Sequence, residues 1–372
     1  MATSFSSLAS FLVLPLGAVS LLFGLLAGLI WLGWDLPNPH ADFILLHGPL
    51  MVGGFFGTVI ALERALAMRA RWMFTAPALA GAGGVALVTG APVAAGAAAI
   101  AVASLVYLFI SIQLHARHRV LHIAVMALGA GCWCIGNVLW LFGWAVPDVV
   151  SWWLGFLLLT IAGERLDLSR LLQPPERMRI LFLGVVAVLL AGITLTTLST
   201  TSGWHVLGAG LMGLAAWLLR NDIARRTVRG HGVTRFTAIC VLSSYAWLGL
   251  AGVVAAGSAN PSGAFAYDTI LHVFFVGFVF TIVFGHAPII LPAILGHKVP
   301  FRRGYYAPLA ALQAGLTLRV IGDLLAWERG RLWGGMIDVL AILSFVAAII
   351  IAVRARSPGS GPSGETGQGA FG

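Results

Sequence analysis

Two histidines far apart in the chain are the residues best placed to do chemistry. His47 and His272 each fall a few residues into a separate long apolar run. If both runs are helices entering a bilayer from the same side, a rise of about 1.5 Å per residue puts His47 and His272 each about 8 Å below the outer end. Ionisable groups at such depth are costly and face the interior of a bundle. Opposed imidazoles at one depth suit a bis-imidazole haem. Neutral nitrogen ligates iron from either side of a flat macrocycle, and an apolar surround tunes affinity and potential. The chain reads His47-Gly48-Pro49-Leu50-Met51-Val52-Gly53-Gly54. On an α-helix Gly54 falls two turns below His47 on the same face, where a porphyrin edge would press. Arg319, at similar depth, is expected to pair with a propionate, because a buried guanidinium needs an anionic partner. The expected cofactor-binding set is therefore His47, His272, Gly54 and Arg319, with haem b as the group held near the outer leaflet.

A second polar layer is expected near the opposite side. Glu63 and Arg64 close the second apolar run, His122 opens the fifth, Glu164 and Arg165 close the sixth, and His286 lies near the end of the tenth. His286 follows His272 by nearly four helical turns, about 21 Å, so both stand on one face. His286 is thus a third expected metal ligand beside His47 and His272. With Glu63, His122 and Glu164 it also makes an expected proton or quinol site.

The same residues admit plainer readings. Glycine-rich faces are the common packing signal of membrane helices. Arg319 and Asp323 are spaced i,i+4 and can neutralise one another. The inner Glu63, Arg64, Glu164 and Arg165 read more simply as an interfacial ion-pair network than as a metal or proton site. Cys132 and Cys134 point to nearly opposite sides of a helix and read as small packing residues. His115, His118, His231 and His297 sit among loop residues and read as solvated. A different class of function is also open: a proton- or ion-coupled transporter in which His47, Asn137, Arg319 and Asp323 bind an anion or relay protons.

The elements that must position these groups follow from composition. The chain has 372 residues, of which 59% are hydrophobic and only 9% charged. Its mean hydropathy is +0.96. A soluble domain carries roughly 25% charged residues, so a water-facing coat is excluded and an all-α polytopic membrane bundle is expected. Twelve runs are long enough to span: 9–34, 42–66, 73–90, 92–114, 120–144, 150–166, 179–198, 203–220, 234–257, 267–292, 304–326 and 332–353. Turn formers such as Asp35-Leu36-Pro37-Asn38-Pro39 and Asn260-Pro261-Ser262-Gly263 separate them. The net charge of +9 reads as topology rather than nucleic-acid binding. Of the 22 Lys and Arg residues, all but Arg319, Arg329 and Arg331 lie at or in alternate connectors and the two inner ends. Both termini are therefore expected in the cytoplasm. Residues 1–356 make one integral membrane domain, and the Gly/Ser-rich 357–372 a disordered tail. Three cysteines give neither a disulfide framework nor zinc-type spacing. Lys298 alone among many arginines associates the chain with a GC-rich bacterial genome, hence a bacterial inner membrane.

At these residues the chain resembles a known family. Twelve spans with a histidine high on the second and another high on the tenth are similar to the NnrS family and, more distantly, to subunit I of haem-copper oxidases. The stretch Leu271-His272-Val273-Phe274-Phe275-Val276-Gly277, followed by Gly285-His286-Ala287-Pro288, looks like the NnrS pattern of a histidine and a later Gly-His pair. By that resemblance His47 and His272 are axial ligands of a low-spin haem. It implies a haem-containing membrane protein, with copper as a further candidate metal, working in redox or nitric oxide response with nitric oxide or a quinol as partner. The chain also departs from the pattern. NnrS proteins carry a His-x-His-Glu-Met cluster where this chain reads Leu45-Leu46-His47-Gly48-Pro49, and the sixth and seventh spans lack histidine. A complete haem-copper binuclear centre is therefore not expected, and a redox protein rather than an oxygen or nitric oxide reductase is.

Overall fold

The computed structural model describes residues 2–68, 70–295 and 300–354. The tail expected over 357–372, together with His297 and Lys298, lies outside them. Among the described residues the chain is 87% helix with no strand. The helices are α1 (Ala2–Leu32), α2 (Phe43–Met68), α3 (Thr75–Val88), α4 (Val93–His118), α5 (Leu121–Leu141) and α6 (Val146–Ser169). They continue as α7 (Glu176–Thr196), α8 (Thr200–Asn221) and α9 (Gly232–Gly257). The helix α10 runs without a break through Ala264–His272, Val273–Phe280 and Thr281–Leu295. It is followed by α11 (Tyr306–Leu324) and α12 (Glu328–Arg354).

Ten of these helices are long and apolar enough to cross a membrane. The other two fall short for separate reasons. The 14 residues of α3 extend about 21 Å, less than the hydrocarbon core of about 30 Å. The 19 residues of α11 include Gln313, Arg319 and Asp323, which lower its apolar content. Backbone groups in lipid have no water to bond, so continuous helices are what such runs must form. Turns between them use glycine where the backbone turns left-handed, at Gly33, Gly90 and Gly143.

Two helices are not regular. In α2 the His47–Pro49 turn gives way to π-helix over Leu50–Phe56. In α10 the turn ending at His272 gives way to π-helix over Val273–Phe280. Each π stretch follows within three residues of its histidine. Such segments widen the helix locally and are common at functional sites.

Close approach of helices relies on small residues. A Cβ at Gly334 would stand 2.6 Å from the Arg319 nitrogen of the backbone, so α12 lies directly against α11. A Cβ at Gly54 would meet Ser20 Oγ at 2.5 Å and the Cα of Gly84 at 3.3 Å, where α2 packs on α1 and α3.

Candidate functional site

His47 and His272 come together across the bundle. Their ring centroids are 6.2 Å apart and their planes differ by 16°. His47 Nδ1 bonds the Gly24 carbonyl of α1 at 2.7 Å. His272 Nδ1 bonds the Asp268 carbonyl one turn earlier at 2.9 Å, with Asp268 Oδ1 3.1 Å away. A carbonyl oxygen only accepts, so each Nδ1 carries a proton, and Nε2 is the nitrogen through which either ring would ligate a metal. This is the arrangement by which outer partners fix the tautomer and aim of a ligating histidine.

The close seat of His47 on α1 depends on Gly28. A Cβ there would stand 2.8 Å from both Nδ1 and Cε1 of the ring. Gly54, expected under the macrocycle, instead faces Ser20 and Gly84, away from the histidines. The reason is the π stretch: i→i+5 bonding takes more than four residues per turn, so seven residues no longer return to the same face.

Both imidazoles line one cavity of about 690 Å³, within the range of roughly 300–1,000 Å³ typical of ligand sites. Its walls are mostly apolar and aromatic, among them Leu29, Met51, Val52, Phe56, Trp140, Trp153, Phe275, Phe280 and Ile342. Its charged rim is built by α10, α11 and α12. Arg319 donates through Nε and Nη2 to the two oxygens of Asp268, at 3.1 and 2.9 Å. Arg331 pairs with Asp323 at 2.5 Å and approaches Asp268 at 3.8 Å. Arg319 and Asp323, an i,i+4 pair in sequence, are thus each given to another partner. Asp338 lines the cavity with neither carboxyl oxygen hydrogen-bonded.

The separation of the two rings is close to that of two imidazoles on one metal. Two imidazole nitrogens each about 2.0 Å from one metal, with centroids about 1.2 Å further on, put the centroids about 6.4 Å apart. A planar metal group so held needs only these two protein ligands. Among the described residues no group of three or more His, Cys, Asp and Glu side chains converges as a metal site. His286 is engaged elsewhere: Nδ1 bonds the Ile282 carbonyl at 2.8 Å and Nε2 faces Arg165 Nη1 at 3.4 Å.

The inner layer divides into separate groups. Glu63, Glu164 and Tyr107 lie within electrostatic reach of Arg64, whose Nη2 meets the Met126 sulfur at 3.2 Å. His122 pairs with Asp167 at 3.3 Å, and Asp167 also meets Arg170. Arg165 turns the other way, to Asp222 at 2.7 and 2.6 Å. Asp222 further accepts from Tyr245 at 2.6 Å and from the Ala224 amide at 2.7 Å. The four residues expected to make one proton or quinol site therefore stand in three groups. Asp222 escaped the sequence reading, although it is the only acidic residue between Arg220 and Arg235.

Fold and cavity together define a multi-pass α-helical membrane protein with a histidine-lined interior chamber. The model of the family described as Domain of unknown function (DUF8744) matches residues 10–354, and the chain belongs to that family. No curated protein and no solved structure matches it.

Proposed function

We propose that the protein is a haem-binding redox protein of the membrane, with His47 and His272 as axial ligands of a b-type haem. What carries the reading is the imidazole pair: near-parallel rings 6.2 Å apart, each with Nδ1 tied off and Nε2 left for a metal. When bound, such a group supplies reversible one-electron chemistry, with its potential set by ligands and surroundings. The chain's own residues do the rest. Gly24 and Asp268 hold the ring orientations, and the Asp268 carboxylate beside His272 raises that ligand's basicity. Arg319 and Arg331, paired with Asp268 and Asp323, mark the polar end of the cavity, where acidic substituents of a tetrapyrrole would lie. The apolar walls exclude water.

The reading extends to topology and setting. Twelve crossings with both ends in the cytoplasm follow from arginine placement, with α3 and α11 completing their crossings inside the bundle. The setting is a bacterial inner membrane. The role is electron transfer or nitric oxide handling, as the resemblance to NnrS proteins implies, with a quinol as electron partner. Pyridine haemochrome analysis of detergent-purified protein tests the proposal. About one haem b per chain supports it, and protein free of haem after expression with haem supplied overturns it.

One observation favours a second reading, an ion-coupled transporter. The π stretches of α2 and α10 interrupt helical regularity beside the cavity, as the broken helices of transporters do. Substrate-dependent flux in proteoliposomes would support that reading.

A further inference from the structure

Among the described residues, the buried and half-buried aspartates of this bundle are partnered, with one exception. Asp222 accepts from Arg165, Tyr245 and the Ala224 amide. Asp268 takes both donors of Arg319. Asp323 has Arg331 and the Thr269 hydroxyl, the latter at 3.0 Å. Asp338 is only 4% exposed and neither of its oxygens has a hydrogen-bond partner. A buried carboxyl without partners is costly, and an ionisable residue inside a membrane bundle marks function more often than packing.

Asp338 is aimed by its surroundings. It lies on the face Gly335-Asp338-Val339-Ile342 by which α12 lines the cavity. Gly315 of α11 makes room for it: a Cβ there would stand 2.5 Å from Oδ1. Beside it, Arg319 spends Nε and Nη2 on Asp268, while Nη1 reaches towards α12, 3.0 Å from where a Cβ of Gly335 would be. A donor and an unsatisfied carboxyl therefore flank one end of the chamber.

The two arginines beside Asp338 are already matched, Arg319 to Asp268 and Arg331 to Asp323. A ligand carboxylic acid that shares its proton with Asp338 satisfies both groups and leaves the net charge what ionised Asp338 alone would give. A ligand carboxylate unable to share a proton would add negative charge where both arginines are already paired.

We propose that Asp338 is a ligand-recognition residue that forms a proton-sharing carboxyl pair with an acidic side group of the flat amphipathic molecule in the cavity. This rests on the haem reading, in which that group is a propionic acid. Haemin and haemin dimethyl ester, whose propionates are capped, are titrated into purified apoprotein of wild type, Asp338→Ala and Asp338→Asn. Binding is read from the bis-imidazole absorption band, and unfolding temperature of the apoprotein checks the fold. Wild type is expected to prefer haemin to the ester by about tenfold or more, the range of one hydrogen bond to a charged group. Asp338→Ala should lower that preference at least fivefold through weaker haemin binding alone, and Asp338→Asn, which keeps a donor, should recover part of it. An unchanged preference in Asp338→Ala overturns the pairing and leaves the haem reading intact. No bis-imidazole band with either compound in wild type overturns both.

Discussion

Gly28 carries the sharpest prediction, because no chemistry resides in it. Its Cα faces the His47 ring so closely that an added methyl would stand 2.8 Å from Nδ1 and Cε1. Carbon atoms in contact prefer about 3.5–4.0 Å, so Gly28→Ala forces the ring or α1 to move by about 0.7 Å or more. The ring is the softer of the two, and its movement strains the 2.7 Å bond from Nδ1 to Gly24. Loss of such an outer partner typically costs about 10–100-fold in metal-site affinity. Overpacking in a close-packed interior should cost about 1–3 kcal/mol of stability besides. Haemin titration of the purified variant should show affinity lowered by at least tenfold. Gly131→Ala is the control, since nothing lies within 4 Å of its added methyl. Wild-type affinity and spectrum in Gly28→Ala would refute the claim that His47 is held in place by its contact with α1.

Other expectations concern the frame around the cavity. Asp222→Ala leaves Arg165 buried without its anion and should destabilise by about 3–5 kcal/mol, read by thermal unfolding, with little change in the optical spectrum. Gly54→Ala should cost about 1–3 kcal/mol by crowding Ser20 and leave haemin affinity within twofold of wild type. A loss of affinity comparable to Gly28→Ala would return Gly54 to the cavity. Reporter fusions after Gly230 should be active only on the cytoplasmic side, and fusions after Asn260 only on the outer side, with the reverse pattern contradicting the orientation.

The pairing of His47 with His272 was legible in the sequence because both stand near the start of their helices. Counting residues from a helix end accumulates little error over so short a distance. Gly54 was misread because the count passed through a π stretch, and nothing in Leu50–Phe56 announces a change of helical period. Gly28 was invisible for another reason: α1 carries many small residues, and only its contact with His47 distinguishes this one. Sequence spacing suggested Arg319 and Asp323 as a local pair. The bundle instead matched Arg319 to Asp268 on α10 and Asp323 to Arg331 on α12, since tertiary neighbours offered better geometry than one helical turn does. Asp222 was placed in a loop and so passed over, although a lone acid among arginines has good electrostatic reason to be their partner. The all-helical fold itself was set by composition, because apolar runs with so few charges have only helices open to them in lipid.

Electron paramagnetic resonance of the oxidised protein tests the central claim most directly, using wild type beside His47→Ala and His272→Ala. Two imidazoles whose planes differ by only 16° should give a well-resolved rhombic low-spin ferric signal in wild type. Each variant should lose it to a high-spin signal or to apoprotein. A wild type without iron, or a low-spin signal that survives either substitution, would contradict the account.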